Sequence, residues 1–393
     1  MRIGIFTDSY KPYTSGVVNS IITFQEELSA WGHEVYIFAP RYPHYNDYEP
    51  NVYRFRSIPA PTIKNYTLAL PYYPGLNALL RKIDLDIIHV HSPFIMGQIG
   101  LYCARKHDLP LVFTYHTMYD QYVHYVPLAK NLAKKLTVHY SKYFCNRCDH
   151  IIVPSTAVEK KLIQEGIHTP VTIIPTGVSL QKFNNGNKNW LNEHFPATCN
   201  KQVLLYVGRL AKEKNLVFIL QAFQIIHAQV PDTVLVLAAG GPLENDLKKT
   251  VALLGLKEGQ EVIFTGPVPF EQIIHIYHSS HLFVFASKTE TQGLVILEAM
   301  AAGLPVVAVN AGGVEDIVEH ENNGWLCSEN IEQFVETVHL ALSDKENYAK
   351  VQARAGRKAE QLSSARMARE LEQLYLHMTG MTGIKAMQSV ITS

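Results

Sequence analysis

The sequence predicts an α/β protein built from two Rossmann-like domains, each a parallel sheet wrapped by helices, facing one another across a ligand cleft. Three observations carry this. Short apolar runs of strand length alternate with helically spaced segments almost throughout, the mark of buried parallel strands joined by crossover helices. The runs fall into two series separated by Gly177–Gln202, a polar stretch holding Asn184-Asn185-Gly186-Asn187 and no clear period. A chain of 393 residues has the length of about two domains.

The first series opens with Ile3–Thr7, broken at Ser15-Gly16, after which Val18, Ile21, Ile22 and Leu28 recur at helical spacing. Strand-like runs follow at Glu34–Ala39, Asp86–Val90, Leu111–Tyr115, Ile151–Val153 and Val171–Ile174. The second series comprises Val203–Val207, Val234–Ala238, Val262–Phe264, Leu282–Phe285 and Val306–Val309. Amphipathic patterning alone covers Glu332–Met378. The expected division is an N-terminal domain over 1–180, a C-terminal domain over 181–362, and a helical segment over 363–393 that can return to the N-terminal domain.

A hydrophobic share of 47% and a charged share of 18% exclude a disordered or collagen-like chain. Lys plus Arg and Asp plus Glu both total 35, so no electrostatic case for nucleic acid arises. Residues 1–180 carry 17 basic and 13 acidic groups, leaving 18 and 22 for the rest, which fits two domains with different partners. Cys103, Cys145, Cys148, Cys199 and Cys327 are too scattered for a disulfide framework, and Cys145 and Cys148 read as semi-buried thiols. Met1–Phe6 runs straight into a strand, unlike a signal peptide, and no apolar run approaches the ~20 residues that span a bilayer. A cytoplasmic protein, soluble or peripherally attached, is expected.

The most informative segment runs from Ser287 to Met300. A strand ends, a polar turn follows, and Gly293 opens an apolar helix whose unpaired N–H groups suit a diphosphate. Glu298 lies about one and a half turns into that helix, where a carboxylate can accept hydrogen bonds from ribose hydroxyls. Glu290, on the loop before it, can grip a sugar on the other side. The plain alternatives are an acidic residue favoured by the helix dipole and a helix charge facing water. A second element, Tyr206–Asn215, also follows a strand and precedes a helix, offering Arg209 and Lys214 from a loop that begins at Gly208. Two cations beside a helix start make a diphosphate clamp; alone, the loop is a polar turn with solvated lysines.

These segments resemble glycosyltransferase family 4, whose members are retaining enzymes of the GT-B fold, and the likeness covers nearly the whole chain. Glu290 and Glu298 match the family's glutamate pair, and Gly208-Arg209 through Lys214-Asn215 match its basic loop. Ser15-Gly16-Val17-Val18 is similar to its N-domain glycine loop, and Thr114-Tyr115-His116-Thr117 to the strand end that carries its active-site histidine. Within the family, Thr114–Tyr119 and Glu290–Leu294 look most like the bacterial 1,2-diacylglycerol 3-glucosyltransferases. One departure is Ala239-Gly240-Gly241-Pro242, where the family commonly has Gly-Asp-Gly-Pro.

The resemblance implies glucose transfer from a nucleotide sugar, UDP-glucose, to a membrane lipid, with anomeric configuration kept. Arg209 and Lys214 would neutralise the departing β-phosphate, Glu290 would hold the sugar's 3- and 4-hydroxyls, Glu298 the ribose, and His116 the region of the 6-hydroxyl. Gly16, Val17, Gly208, Gly241, Val268, Gln292, Gly293 and Leu294 complete the implied donor site, and Tyr119 stands with the acceptor. The cations take the place of a metal, so neither metal nor cofactor is expected. Runner-up readings are transfer to phosphatidylinositol or a lipopolysaccharide core, and a nucleotide-sugar-binding protein without catalysis. A dinucleotide-dependent oxidoreductase is disfavoured because no G-x-G-x-x-G follows the first strand.

Two further patterns stand apart. His89 and His91 alternate onto one strand face, conceivable as a metal pair but without an obvious acidic or cysteine partner; His275, His278 and His281 read as surface histidines. The stretch Pro127–Cys148 holds Lys130, Lys134, Lys135, Lys142 and Arg147 and no acid. A helical wheel places Leu128, Leu132, Leu136, Tyr143 and Phe144 on one side and the lysines on the other. That is either a domain helix with solvated lysines or an attraction for anionic headgroups, with Leu68–Pro74 dipping into the interface beside it.

Overall fold

The computed structural model describes residues 1–46, 49–61, 66–118 and 130–381, the side chains of 130–135 excepted. The chain forms two compact units, one made of Met1–Gly177 together with the segment from Ser364, the other of Val178–Ser363.

The first unit opens with β1 (Arg2–Phe6), α1 (Gly16–Ala30) and β2 (Glu34–Pro40). Three strands that the pattern did not predict follow: β3 (Val52–Phe55), β4 (Ser57–Pro59) and β5 (Thr67–Ala69). Then come α2 (Leu76–Ile83), β6 (Ile87–Val90), α3 (Ile95–His107), β7 (Leu111–Thr114), α4 (Lys130–Cys145), β8 (His150–Val153), α5 (Thr156–Gln164) and β9 (Val171–Ile173). Seven strands make one parallel sheet in the order β3-β2-β1-β6-β7-β8-β9, while β4 and β5 pair as an antiparallel ribbon. The order reverses between β1 and β6, so their carboxyl ends form the switch point at which doubly wound sheets bind ligands.

The second unit holds α6 (Trp190–His194), β10 (Gln202–Val207), α7 (Leu216–Gln229), β11 (Thr233–Ala238), α8 (Glu244–Leu253), β12 (Val262–Phe264) and α9 (Phe270–His278). It continues through β13 (Leu282–Phe285), α10 (Leu294–Ala301), β14 (Val306–Val309), β15 (Trp325–Cys327), α11 (Ile331–Ser343) and α12 (Lys345–Gln361). Its sheet is parallel throughout in the order β12-β11-β10-β13-β14-β15, with the switch point between β10 and β13. Runs such as Val306-Val307-Ala308-Val309 are buried along their whole length, because helices cover both faces. His275 and His278 are half-buried rather than free on the surface. His278 Nε2 donates to the Phe183 carbonyl at 2.7 Å, and His275 Nδ1 accepts from the Asn187 amide at 3.0 Å, fastening Phe183–Asn187 to α9.

The last helix, α13 (Ser364–Met378), belongs to the first unit and packs along α1. His33 Nε2 and a Glu372 carboxylate oxygen lie 2.8 Å apart, both buried, and the Arg369 guanidinium sits 4.5 Å from the centre of the Trp31 ring. Tyr375, fully buried, reaches His89.

Cys145 and Cys148 are buried free thiols at the end of α4; burial pushes Cys145 up to about 12 and Cys148 well above its ordinary value, which makes both poor nucleophiles and metal ligands. The helix also corrects the wheel. Ser141, Phe144 and Cys145 face the core, whereas Leu136 and Tyr143 are 59% and 45% exposed. Among the described residues no helix is long and apolar enough to cross a membrane.

Candidate active site

In the second unit the loops that leave β10 and β13 meet. The chain turns at Gly208, whose φ of 144° and whose Cβ position, 2.8 Å from Tyr206 Oη, both require glycine. Leu210 N–H donates to the Gly240 carbonyl and Leu243 N–H to the Leu210 carbonyl, each at 3.1 Å. A Cβ on Gly241 would come within 2.4 Å of the Leu210 carbonyl oxygen, so only glycine lets the two loops interlock. A 3-10 turn over Lys212–Lys214 follows, closed by Asn215 in the left-handed conformation. Arg209 is exposed.

The loop after β13 lies against this turn, with Ser287 Oγ donating to the Glu213 carbonyl at 3.2 Å. Lys214 Nζ forms a direct ion pair with a Glu290 carboxylate oxygen, and both side chains are mostly buried. Gly293, at φ 84°, caps α10, and Leu294 begins the helix. Gln292 is buried and Leu294 half-buried. Glu298 is 8% exposed, which removes the reading of a helix charge facing water. Tyr277 Oη donates to its carboxylate at 2.9 Å. Burial pushes the Glu298 carboxyl up to about 7, opposed by that hydrogen bond.

At Ala239-Gly240-Gly241-Pro242 the structure has no room for a side chain on Gly240. A Cβ on Gly240 would stand 2.7 Å from Pro267 Cγ, so the space for an acidic side chain is filled by the loop after β12. Val268, next along that loop, is half-buried against the core.

In the first unit, Ser15 caps α1 by accepting from Val18 N–H at 3.3 Å, leaving Gly16 exposed and Val17 half-buried in the first turn. A Cβ on Gly16 would meet nothing within 4 Å, so internal packing does not demand glycine there. Asp8, buried after β1, accepts from Ser92 Oγ and, at 3.1 Å, from Met96 N–H in the first turn of α3. Its desolvation raises the carboxyl above its ordinary value.

His116 follows β7, and its Nε2 shares a 2.8 Å hydrogen bond with His91 Nδ1. The His89 and His91 rings are tilted by 37° with centroids 4.1 Å apart. Both His89 nitrogens are engaged, by Tyr375 Oη and by Thr114 Oγ1, each at 2.6 Å, so neither is left for a metal. Burial lowers all three imidazoles, His89 and His116 to about 3, so the cluster is neutral. Tyr119 lies outside the described residues; Lys130, Lys134 and Lys135 are placed on α4 by its backbone alone.

Sequence reasoning missed several residues. Gly313 N–H donates to the Glu290 carbonyl at 2.9 Å, and Cβ atoms on Gly312 and Gly313 would fall 2.4 Å and 2.2 Å from the backbone of residues 290 and 291. These glycines seat the Glu290 loop, and Gly312-Gly313 in the turn after β14 was the available signal. Tyr277 gave no local signal, since it acts through Glu298, and His91, which the strand alternation did single out, is bound to His116 rather than to a metal.

The geometry agrees with what the chain resembles as a whole. Residues 14–182 match the model of Glycosyltransferase Family 4, and residues 192–360 that of Glycosyl transferases group 1. The chain is 34% identical to the alpha-monoglucosyldiacylglycerol synthase of Acholeplasma laidlawii, over 86% of this chain and 88% of that one. It is likewise 34% identical to the synthase of that name from Streptococcus pneumoniae, over 78% and 71%. The crystal structure of Anabaena HepE in complex with UDP-glucose is 18% identical and superposes with a TM-score of 0.76, over 95% of this chain and 99% of that one. The protein with these two parallel-sheet units and these loops is therefore a glycosyltransferase of GT-B fold and belongs to glycosyltransferase family 4.

Proposed function

We propose that the protein transfers glucose from UDP-glucose to the free hydroxyl of 1,2-diacylglycerol with retention of anomeric configuration. The observation that carries this is the pairing of Lys214 with Glu290 at the switch point beside the glycine-capped α10. A cation, a carboxylate and free helix N–H groups suit the diphosphate and sugar of a nucleotide sugar. The glucose and the lipid are supported by the names of the two relatives and by the resemblance of Thr114–Tyr119 and Glu290–Leu294 noted in the sequence.

In this reading Arg209 and Lys214 stabilise the charge that develops on the β-phosphate as the bond to the anomeric carbon breaks, a preorganised effect worth several kcal/mol. Glu290 holds the sugar's 3- and 4-hydroxyls, and Glu298 accepts from the ribose. Gly16 and Val17 offer backbone N–H groups from the first turn of α1. His116 hydrogen-bonds near the 6-hydroxyl as a neutral imidazole positioned by His91. The acceptor oxygen attacks from the face that the phosphate leaves, and its proton passes to the phosphate oxygen. The enzyme attaches peripherally to the inner face of the membrane through the basic α4 and Leu68–Pro74.

A panel of radiolabelled nucleotide sugars with total membrane lipid, resolved by chromatography, tests the reaction. Label from UDP-glucose in a monoglucosylated diacylglycerol is the expected result; label in a different lipid, or from GDP-mannose alone, refutes it. Flotation with neutral and anionic vesicles tests attachment, and equal binding to both contradicts it.

A further inference from the structure

The first unit contains a groove of about 630 Å³ lined by none of the three clustered histidines. Its floor is apolar, with Phe55 and Leu76 buried and Ile99 of α3 half-buried. Its rim is tyrosine: Tyr72 at 68% exposure, Tyr102 at 55%, and Tyr140 of α4. Tyr140 is locked as a wall, since its hydroxyl donates to the Pro93 carbonyl at 2.8 Å and accepts from Gln98 Nε2 at 2.9 Å. Leu70, next to Pro71 of the lining, and Leu136, one turn before Tyr140 on α4, are exposed apolar side chains on the same segments.

We propose that this groove binds one acyl chain of the lipid acceptor, so that the tyrosine rim sits at the headgroup level and the chain lies along Ile99. The proposal rests on the lipid-acceptor reading above and adds where the chain goes. An acyl chain is favoured over other occupants because the groove is walled by α4, which carries four lysines and no acid over Lys130–Cys145. Such a wall suits a slot that opens toward an anionic membrane surface. Tyrosines with apolar rings and polar tips fit the same boundary. The volume lies within the ~300–1,000 Å³ of small-molecule sites.

A chain drawn from a bilayer exchanges one apolar environment for another, so the groove fixes position and gains little affinity from a membrane. From water the gain is large, about fourfold per buried methylene. That difference sets the experiment. The full-length protein is assayed with monomeric glycerol diesters in which one ester is acetyl and the other lengthens from butanoyl to octanoyl. The wild type should gain about fourfold in kcat/KM per methylene. Ile99→Trp, which fills the groove, and Tyr102→Glu, which charges its mouth without disturbing the core, should flatten that dependence while leaving the KM for the sugar donor and the melting temperature unchanged. An unchanged slope in both variants overturns the proposal.

Photo-cross-linking with a diazirine-bearing acyl glycerol separates this inference from the acceptor reading. Label on α3 and Tyr72 that Ile99→Trp abolishes supports the groove even if no glycerol ester is glucosylated, in which case the acceptor reading falls alone. Label elsewhere, or self-association of the protein that Ile99→Trp abolishes, assigns the groove to another occupant and overturns the proposal.

Discussion

Glu298→Gln should stabilise the ligand-free protein and weaken donor binding, and the size of the effect follows from burial. The carboxyl moves from its ordinary 4.5 to about 7 in the folded chain. The folded state therefore holds the proton more tightly than the unfolded one. Below the unfolded value both states are protonated and stability is unaffected. As pH rises from there to about 7 stability falls, and above that the ionised carboxylate costs about 3 kcal/mol. Glutamine keeps the shape and the acceptor for Tyr277 Oη but carries no charge to desolvate. Its unpartnered amide takes back part of the gain at every pH, so the pH dependence is the diagnostic quantity. The stability difference between variant and wild type should favour the variant by roughly 2–3 kcal/mol more near pH 8 than near pH 5. For a domain of this size that is roughly 5–10 °C in melting temperature. Thermal unfolding with and without UDP measures both halves, since in the proposed donor site the ribose hydroxyls donate to the ionised form. The donor KM should rise roughly tenfold or more in the variant, and in the wild type as pH falls below about 7. The same stability change at both pH values, or an unchanged donor KM, would refute the reasoning.

Lys214→Ala and Glu290→Ala each break the ion pair of the proposed donor site and should each lower kcat by roughly a hundredfold or more while the circular dichroism spectrum stays unchanged; near-normal turnover in either breaks the site assignment. Gly313→Ala forces its Cβ against the Thr291 carbonyl, 2.2 Å away, and should shift the Glu290 loop. Its signature is a loss of turnover with donor, accompanied by faster proteolysis of that loop. The imidazoles of His89, His91 and His116 should stay neutral as pH falls from about 8 to about 5, since burial holds them low. Ring-nitrogen chemical shifts that titrate near 6.5 would show the cluster to be solvated.

The sheets were readable in the sequence because their central strands are buried on both faces and so read as unbroken apolar runs. Val203–Val207 and Val306–Val309 stand out at once. Val52–Phe55 and Trp325–Cys327 did not, since each edges its sheet and Tyr53 and Arg54 are only half-buried. The pair Glu290 and Glu298 was readable because a loop and one helix set its spacing locally. The exposure of Leu136 and Tyr143 was not, for a helical wheel ranks apolarity and cannot tell which apolar side chains reach the core. The seat that Gly312 and Gly313 give the Glu290 loop, the hold of Tyr277 on Glu298 and the hydrogen bond of His91 to His116 all depend on packing between distant segments.

The most direct test of the central claim is a crystal structure of the protein with UDP-glucose. The diphosphate is expected against the N-terminus of α10, with Lys214 and Arg209 on its oxygens, the ribose on Glu298 and glucose hydroxyls on Glu290. A nucleotide bound with its diphosphate away from these side chains would contradict it.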